Sequence, residues 1–325
     1  MKVIILTAGL GTRLRPHTFS KPKPLVKVAG KPMLAHILDS LQSVAIDELI
    51  FVTGYLGHRI QDFVQSKYRF PTQFIEQTAL RGQAHAIHLT RQVAHGPCMI
   101  VFGDGIIHAD FEALNRQPPH GVIFVKEIDD PSRFGVVVLE NDKITRLVEK
   151  PEQPISNLVV VGIYYLPDIS QLFAAIEHVM SHNIQTKGEF YLADALQVMI
   201  DGGAEFHAER VSVWKDCGNP SALLDTNRYL LENGRSYVGS VTRSVIIPPV
   251  YIDETAMIDS SVIGPYVSVA ARATIRDSRI RDSIINSGAV IQSIILDKSL
   301  IGDDAYVEGD FQEMNVGDAS EIRFR

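Results

Sequence analysis

Cysteine is scarce in this chain of 325 residues, which contains only Cys98 and Cys217. Two thiols cannot form a disulfide framework or, by themselves, a structural zinc site. Long apolar runs are also missing: the longest, near residues 158–166, falls well short of the ~20 residues that span a membrane. The apolar segment 3–6 is too short for a signal peptide, and Gly9 follows it. We therefore expect a cytoplasmic protein with no membrane partner, in which Cys217 is a small buried residue.

The sequence also lacks an excess of positive charge. The formal net charge is −7 at pH 7, whereas a general nucleic-acid binder shows a basic field. We therefore expect no nucleic-acid partner. Hydrophobic residues make up 46% of the sequence, and the length suits one large domain and a small one.

The first two thirds of the chain alternates strand-like and helix-like segments. The predicted strands are Lys2–Leu6, Glu48–Thr53, Gln73–Glu76, Cys98–Gly103 and Val122–Glu127. The clearest helical pattern runs from Pro32 to Ala45, with apolar residues three or four positions apart. This alternation predicts an α/β domain with a mostly parallel, open, Rossmann-like sheet, whose ligands bind at the carboxyl ends of its strands.

After about residue 235 the pattern changes to short apolar residues that recur every five or six positions. They are Ile252, Ile258, Ile263, Val269, Ile275, Ile280, Ile285, Ile291, Leu296, Ile301 and Val307. This spacing is typical of a hexapeptide-repeat parallel β-helix, whereas strands of a β-sandwich recur every 8–12 residues. We therefore predict domains at residues 1–235 and 236–325, a bridging helix near residues 222–231 and a cap formed by residues 311–325.

The segment after the first strand combines glycines with cations. Gly9 and Gly11 allow backbone N–H groups to surround an anion, and Arg13 and Lys23 add positive charge. Leu14 replaces the third glycine of the dinucleotide fingerprint, and no P-loop string occurs. The segment therefore favours a triphosphate ligand.

The whole string, with its downstream Lys-Pro-Lys-Pro, resembles the signature of the sugar-1-phosphate nucleotidyltransferases. These enzymes make NDP-sugars from an NTP and a sugar phosphate, and several carry a C-terminal left-handed β-helix. Thr7 departs mildly from the family pattern. The resemblance implies catalytic roles for Arg13, Lys23 and Lys150. It implies a nucleotide site made of Leu6, Ala8, Gly9, Gly11, Thr12, Arg13, Gln77 and Gly82.

Two residues of this site suggest how the base is selected. The Gln77 amide offers a donor and an acceptor to a pyrimidine, and Gly82 lets the backbone approach the base. Without the resemblance, Gln77 would be taken for a surface amide. His85 and His88, on the following helical segment, are interpreted as structural.

Two aspartates are candidate Mg²⁺ ligands. Asp104 follows a predicted strand and a glycine, and Asp216 lies in a Trp-Lys-Asp-Cys-Gly string. Such aspartates are often turn or cap residues. The resemblance assigns both to the family's metal site, where carboxylates hold Mg²⁺ between reacting phosphates.

A third group resembles the family's sugar-phosphate site. It comprises Gly135, Glu149, Lys150 and Val160; Lys150 is implied to bind the phosphate and Glu149 a sugar hydroxyl. A Glu-Lys pair is otherwise a solvated surface pair. The string Lys187 to Tyr191 resembles a further family element whose role here stays open.

The resemblance implies Mg²⁺-dependent, in-line transfer of a nucleotidyl group to a sugar 1-phosphate. The motifs are closest to those of thymidylyltransferases, which favours dTTP with glucose 1-phosphate. UTP with glucose or GlcNAc 1-phosphate, GTP with mannose 1-phosphate and a non-catalytic regulatory subunit remain alternatives. Acyl transfer by the β-helix is disfavoured because no histidine follows His207. We expect the β-helix to assemble a homo-oligomer.

Overall fold

A nine-stranded sheet organises the N-terminal part of the chain in the computed structural model, which describes residues 1–234 and 236–310. The strands of this part are β1 (Lys2–Leu6), β2 (Lys27–Val28), β3 (Lys31–Pro32), β4 (Glu48–Thr53), β5 (Thr72–Glu76), β6 (Cys98–Phe102), β7 (Gly105–His108), β8 (Gly121–Glu127), β9 (Gly135–Glu140), β10 (Lys143–Glu149), β11 (Leu158–Leu166), β12 (Phe206–Arg210) and β13 (Val213–Asp216). The order in the sheet is β5-β4-β1-β6-β11-β8-β12-β10-β9.

The predicted parallel arrangement holds for one side of this sheet, where β5, β4, β1 and β6 pair in parallel. The other side is mixed: β11 runs antiparallel to β6 and β8, while β12 is parallel to β8. β9 and β10 form a hairpin because no helix separates them. Asn141 and Asp142 connect them with positive φ, as two-residue hairpin turns require.

Helices cover both faces of the sheet. They are α1 (Met33–Ser40), α2 (Gly57–Lys67), α3 (Gln83–His88), α4 (Ile169–Ser181), α5 (Leu192–Asp201) and α6 (Pro220–Asn233), with 3-10 helices at Thr12–Leu14, Lys23–Leu25 and Glu112–Arg116. Alternate residues of β1 face opposite cores: Ile4 packs in the cluster that contains residues of α3, α4 and α5, while Val3 and Ile5 pack with α1 and α2. This alternation follows from the two-residue period of a strand.

The helix predicted to run from Pro32 to Ala45 is shorter in the structure. α1 ends at Ser40, after which Leu41 and Val44 donate backbone hydrogen bonds to residues three positions back. Both side chains are nevertheless buried. The apolar spacing therefore continues beyond the end of the helix, which is why it predicts a longer one.

The C-terminal part is a parallel β-helix built from three sheets of stacked short strands. The strands are β14 (Tyr237–Val238), β15 (Val241–Thr242), β16 (Val245–Ile246), β17 (Val250–Ile252), β18 (Met257–Asp259), β19 (Val262–Ile263), β20 (Val267–Val269), β21 (Thr274–Arg276), β22 (Arg279–Arg281), β23 (Ile284–Ile285), β24 (Val290–Gln292), β25 (Ile295–Asp297), β26 (Leu300–Ile301) and β27 (Tyr306–Glu308). Each coil pairs with the next one, as Ile258 pairs with Ile275 and Ile275 with Ile291. The predicted repeat is confirmed, because its residues from Ile252 to Val307 form this unit's core cluster.

The contacts divide the chain into two compact units, one of residues 1–27 and 31–226 and the other of residues 28–30 and 227–325. The division falls within α6, whereas the sequence predicts a boundary after residue 235. The predicted cap at residues 311–325 lies outside the described residues. Within the described ranges, no helix combines the length and apolar character that crossing a membrane requires.

Candidate active site

Three parallel strands end together at one edge of the N-terminal sheet. Both the backbone N–H and the hydroxyl of Thr7 donate to the carbonyl of Val52, at 2.8 Å each, and Gly103 N–H donates to Leu6. These bonds join the ends of β1, β4 and β6. The hydroxyl at position 7, the departure from the family pattern, therefore ties two strand ends together.

The loop after β1 turns in a way that only glycine allows without strain. Gly11 has φ +62°, and a Cβ there would lie 2.9 Å from Cβ of Lys23. The Gly11 carbonyl accepts from the hydroxyl of Thr18 at 2.9 Å and from the backbone N–H of Leu14. The turn leads into the 3-10 helix that contains Arg13, and Lys23 is buried beside it.

A cavity of about 510 Å³ opens at these strand ends. All predicted nucleotide residues line it, together with Lys23, Asp104 and Lys150. The lining also includes Thr7, Leu10, Pro24, Leu80, Gln83, Ala86, Phe102, Gly103, Glu189, Tyr191 and Gly218. The structure therefore brings together residues as far apart in the sequence as Leu6 and Gly218.

One candidate metal ligand, Asp216, ends a strand, and the other, Asp104, immediately precedes the strand that pairs with it. Asp216 ends β13 and pairs with Gly105 of β7, which follows Asp104 directly. The exposed carboxylate of Asp104 is 3.1 Å from Nζ of Lys23. Gly218 leaves room for the other carboxylate, because a Cβ there would lie 2.9 Å from Asp216 Oδ1 and 3.2 Å from Arg13 Nη2. Two carboxylates and two cations are thus close together.

The amide of Gln77 is oriented by two acceptors. Its Nε2 donates to the carbonyl of Gly82 and to Nδ1 of His85, each at 3.1 Å. Burial lowers the pKa of His85, and Arg81 and His88 lower it further, so the ring is neutral at pH 7; in the tautomer with its hydrogen on Nε2, Nδ1 accepts from the amide. Both amide hydrogens therefore have acceptors within the protein, and the carbonyl Oε1 is what Gln77 presents to a ligand.

Gly82 is required by the packing of its own backbone. It has φ +106°, and a Cβ there would lie 2.4 Å from the carbonyl oxygen of Phe190. Backbone hydrogen bonds from Ala84 to Phe190 and from Phe190 to Arg81 hold this approach. Packing against Phe190 therefore requires glycine at position 82, independently of the predicted contact with the base.

The predicted sugar-phosphate residues also come together. Gly135 pairs with Glu149 in the β9–β10 hairpin, and a Cβ at Gly135 would lie 3.0 Å from both Glu149 Oε2 and Val160 Cγ2. Lys150 Nζ is 3.2 Å from Glu149 Oε1 and donates to the hydroxyl of Tyr191 at 2.8 Å.

Burial shapes the charges of this pair. It raises the pKa of Glu149, a rise that Lys150 opposes. Burial alone lowers the pKa of Lys150, but the hydrogen bond to Tyr191 and the charge of Glu149 outweigh it, so that the pKa is raised and the ammonium stays charged. A half-buried fixed cation of this kind suits a phosphate group.

Sequence reasoning left two positioning residues without a role. Tyr191, in the string from Lys187 to Tyr191 whose role the sequence leaves open, accepts a hydrogen bond from Lys150. His85, which the sequence analysis interprets as structural, orients the amide of Gln77. His88 contacts Glu177 at 3.0 Å and does not line the cavity. The two cysteines are both buried and free, as expected for Cys217.

The fold and the cavity define an α/β domain with a glycine-containing loop at the strand ends. The model of the nucleotidyl transferase family matches residues 2–233, and the chain belongs to that family. The chain is therefore an enzyme of the nucleotidyltransferase class, and its resemblance to the sugar-1-phosphate nucleotidyltransferases is confirmed.

Relatives of this family align over most of the chain. A glucose-1-phosphate thymidylyltransferase of Streptomyces antibioticus is 30% identical and covers 100% of both chains. The UTP–glucose-1-phosphate uridylyltransferase AglF of Haloferax volcanii is 35% identical over 71% of this chain and 97% of its own. A Bacillus anthracis structure described as a glucose-1-phosphate thymidylyltransferase in complex with sucrose has a TM-score of 0.62 at 27% identity, covering 70% of this chain and 94% of that one.

Proposed function

We propose that this enzyme transfers a thymidylyl group from dTTP to glucose 1-phosphate, releasing pyrophosphate. The observation that carries the base assignment is the fixed amide of Gln77, which presents Oε1 as an acceptor. Thymine, uracil and guanine carry a ring N–H at the matching edge, whereas cytosine and adenine carry an acceptor there. This geometry favours dTTP, UTP and GTP over CTP and ATP.

Two further observations favour dTTP among these three. Leu80, on the segment between Gln77 and Gly82, is 46% exposed and lines the cavity. An apolar side chain there suits the thymine methyl, whose burial is worth roughly 0.8 kcal/mol. The aligned thymidylyltransferase covers the whole of this chain. UTP is the second candidate, because the aligned AglF is named as a uridylyltransferase.

The sugar phosphate binds, in this proposal, at Lys150 and Glu149. The ammonium of Lys150 pairs with the phosphate, and the carboxylate of Glu149 accepts a hydrogen bond from a sugar hydroxyl. The close approach of Gly135 to Glu149 and Val160 leaves no room for a side chain beside that carboxylate. The same contacts suit a hexose 1-phosphate such as glucose 1-phosphate.

Asp104 and Asp216 fit Mg²⁺, because oxygen ligands of charged carboxylates are those it prefers. When bound, the ion would neutralise charge that builds up on the reacting phosphates. Arg13 and Lys23 bind the triphosphate from the glycine-loop side, and Lys150 holds the attacking phosphate. Positioning two anions against their mutual repulsion is the main contribution of these residues.

We also propose that the β-helix assembles a homo-oligomer and that the enzyme works in the cytoplasm, where NTPs are available. A regulatory subunit without turnover is the competing proposal. The presence of Arg13, Lys23, Asp104, Lys150 and Asp216 in one region disfavours it.

A pyrophosphate-release screen tests the proposal. dTTP, UTP, GTP, CTP and ATP are crossed with glucose, mannose and GlcNAc 1-phosphates in the presence of Mg²⁺. Release that needs both substrates, with dTTP and glucose 1-phosphate giving the highest kcat/KM, supports it. Preference for CTP or ATP contradicts the role of Gln77, and nucleotide binding without turnover favours the regulatory subunit.

A further inference from the structure

Two histidines and a glutamate meet at the sheet edge opposite the active site. β12 is parallel to β8, with Phe206 paired to Gly121, so Glu205 and His120 precede the paired residues and His207 follows Phe206. β8 is parallel to β6, since both run antiparallel to β11. The amino ends of β8 and β12 therefore lie away from the carboxyl ends of β1, β4 and β6.

We propose that His120, Glu205 and His207 form a binding site for a divalent transition metal, with Zn²⁺ as the fitting ion. One ligand atom of each side chain lies within 4.8 Å of the other two. Atoms that share one tetrahedral zinc ion are roughly 3.4 Å apart, so small side-chain rotations close the set. Among the residues at 1–234 and 236–310, this is the one group of three metal-ligating side chains that meets this spacing.

The contacts within the group support a metal rather than a simple ion pair. His207 Nε2 is 2.7 Å from Glu205 Oε1, and the His120 and His207 rings are tilted by 30° with centroids 4.0 Å apart. A bound metal would replace the hydrogen between Nε2 and Oε1, and these two atoms would move from 2.7 Å to roughly 3.4 Å apart. Two imidazoles and one carboxylate are a ligand set for zinc, whereas Mg²⁺ prefers oxygen ligands alone.

Solvent can complete the coordination. Glu205 is 46% exposed and lines a cavity of about 640 Å³, separate from the active site, between α4, α5 and the strand ends. Water from this cavity can occupy a remaining coordination position, as in sites with three protein ligands. A bound ion would join the amino ends of β8 and β12 and stabilise the fold there.

A lysine competes with the proposed metal for the carboxylate of Glu205. Lys143 Nζ is 2.9 Å from Glu205 Oε2, the carboxylate oxygen that does not face His207. Its positive charge opposes a cation, so removing it should strengthen zinc binding. This gives the proposal a variant whose expected effect is a gain, which a loss of folding cannot mimic.

The test is calorimetric titration of the full chain with ZnCl₂. The protein carries no histidine tag, is first stripped with EDTA and dialysed, and is kept in excess Mg²⁺ to occupy oxygen-ligand sites. We expect one zinc ion per chain, with affinity weakened roughly tenfold or more by His120→Asn, His207→Asn or Glu205→Gln, since even outer-sphere partners cost that much. Lys143→Gln should tighten binding.

The matched control is the double variant His178→Asn and His182→Asn, which removes a stacked histidine pair from the C-terminal end of α4 and its cap residue. It should bind zinc as the wild type does. The proposal is overturned if the wild type binds no zinc, if His207→Asn binds it unchanged, or if the α4 double variant loses it. Zinc-induced changes in Tm provide a second readout, with each variant compared with its own zinc-free form.

Discussion

Lys150 donates a hydrogen bond of 2.8 Å to the phenolic oxygen of Tyr191, which lies 41 residues further along the chain. Lys150 itself has φ +44°, in the left-handed region, and its N–H donates to the carbonyl of Phe134. Backbone and side chain are therefore both fixed, and the ammonium has a defined position before substrate arrives.

Removing that hydroxyl tests whether Tyr191 positions the sugar-phosphate cation. In Tyr191→Phe, the loss of about 1 kcal/mol of hydrogen-bond energy should raise KM for glucose 1-phosphate roughly fivefold. KM for dTTP should stay within about twofold of the wild-type value. Steady-state kinetics with each substrate varied in turn measures both.

The control is Tyr68→Phe, which removes a hydroxyl bonded to Ala35 and Asp39, away from the cavity. It should leave both KM values unchanged. An equal rise of the two KM values in Tyr191→Phe would show that the tyrosine supports the pocket as a whole.

Asp104 should be essential for metal-dependent turnover. Asp104→Asn retains shape but removes a charged ligand, and the loss of electrostatic stabilisation should lower kcat at least ~100-fold. Pyrophosphate release measured across Mg²⁺ concentrations checks this, with Tm as a measure of folding. Asp110→Asn is the control, because Asp110 only accepts from the backbone of Glu112. Near-normal turnover by Asp104→Asn would remove Asp104 from the metal site.

Base recognition should weaken in acid. The pKa of His85 is lowered from its usual 6.5 by burial first and by Arg81 and His88 next. Below that lowered pKa the ring becomes protonated, Nδ1 no longer accepts from Gln77, and KM for dTTP should rise. The same sign applies to stability: acid favours the unfolded chain, whose histidine binds a proton more readily.

The variant His85→Asn separates this effect from general acid inactivation. An asparagine oxygen can accept from Gln77 in place of Nδ1 but does not titrate, so the acid-side rise of KM for dTTP should disappear. KM measured from about pH 7.5 down to about pH 5 checks it. Identical profiles for the two proteins would mean that another group causes the pH dependence.

Assembly through the β-helix should be sensitive to its exposed apolar side chains. Ile295 is 77% exposed and Tyr306 is 63% exposed in the chain alone. These side chains lie on two of the three sheets, and replacing both with Glu places a charge on each and should lower the mass measured by sedimentation velocity. Arg272→Glu, the same change of charge at an exposed turn residue between β20 and β21, is the control. A wild-type monomer would refute the assembly role.

Local strings predicted much of this molecule. The glycine loop, Arg13 and Lys23 are close in sequence, so one short segment indicates an anion-binding site. The β-helix residues were predicted because stacking repeats the same apolar requirement in each coil. The helix expected to reach Ala45 ended at Ser40, because its last apolar residues are buried equally well by turns.

The long-range contacts could not be predicted from the sequence. Nothing local to Tyr191 indicates that it meets Lys150, and the pairing of β11 with both β6 and β8 depends on strands far apart in the chain. His85 was interpreted as structural because no third ligand lies at a helical spacing from it. Its acceptor role depends on where the fold places Gln77, the first residue after β5, relative to α3.

The close approach of Gly82 to Phe190 has a consequence for how the two substrates affect each other. Phe190 packs against Gly82, whose carbonyl accepts from the proposed base-reading amide of Gln77. Its neighbour Tyr191 accepts a hydrogen bond from Lys150, the proposed cation for the second substrate. Two adjacent residues thus contact both proposed half-sites, and we expect a displacement caused by one substrate to affect the other. We therefore expect binding of the two substrates to be thermodynamically linked, with each changing the affinity for the other by the same factor.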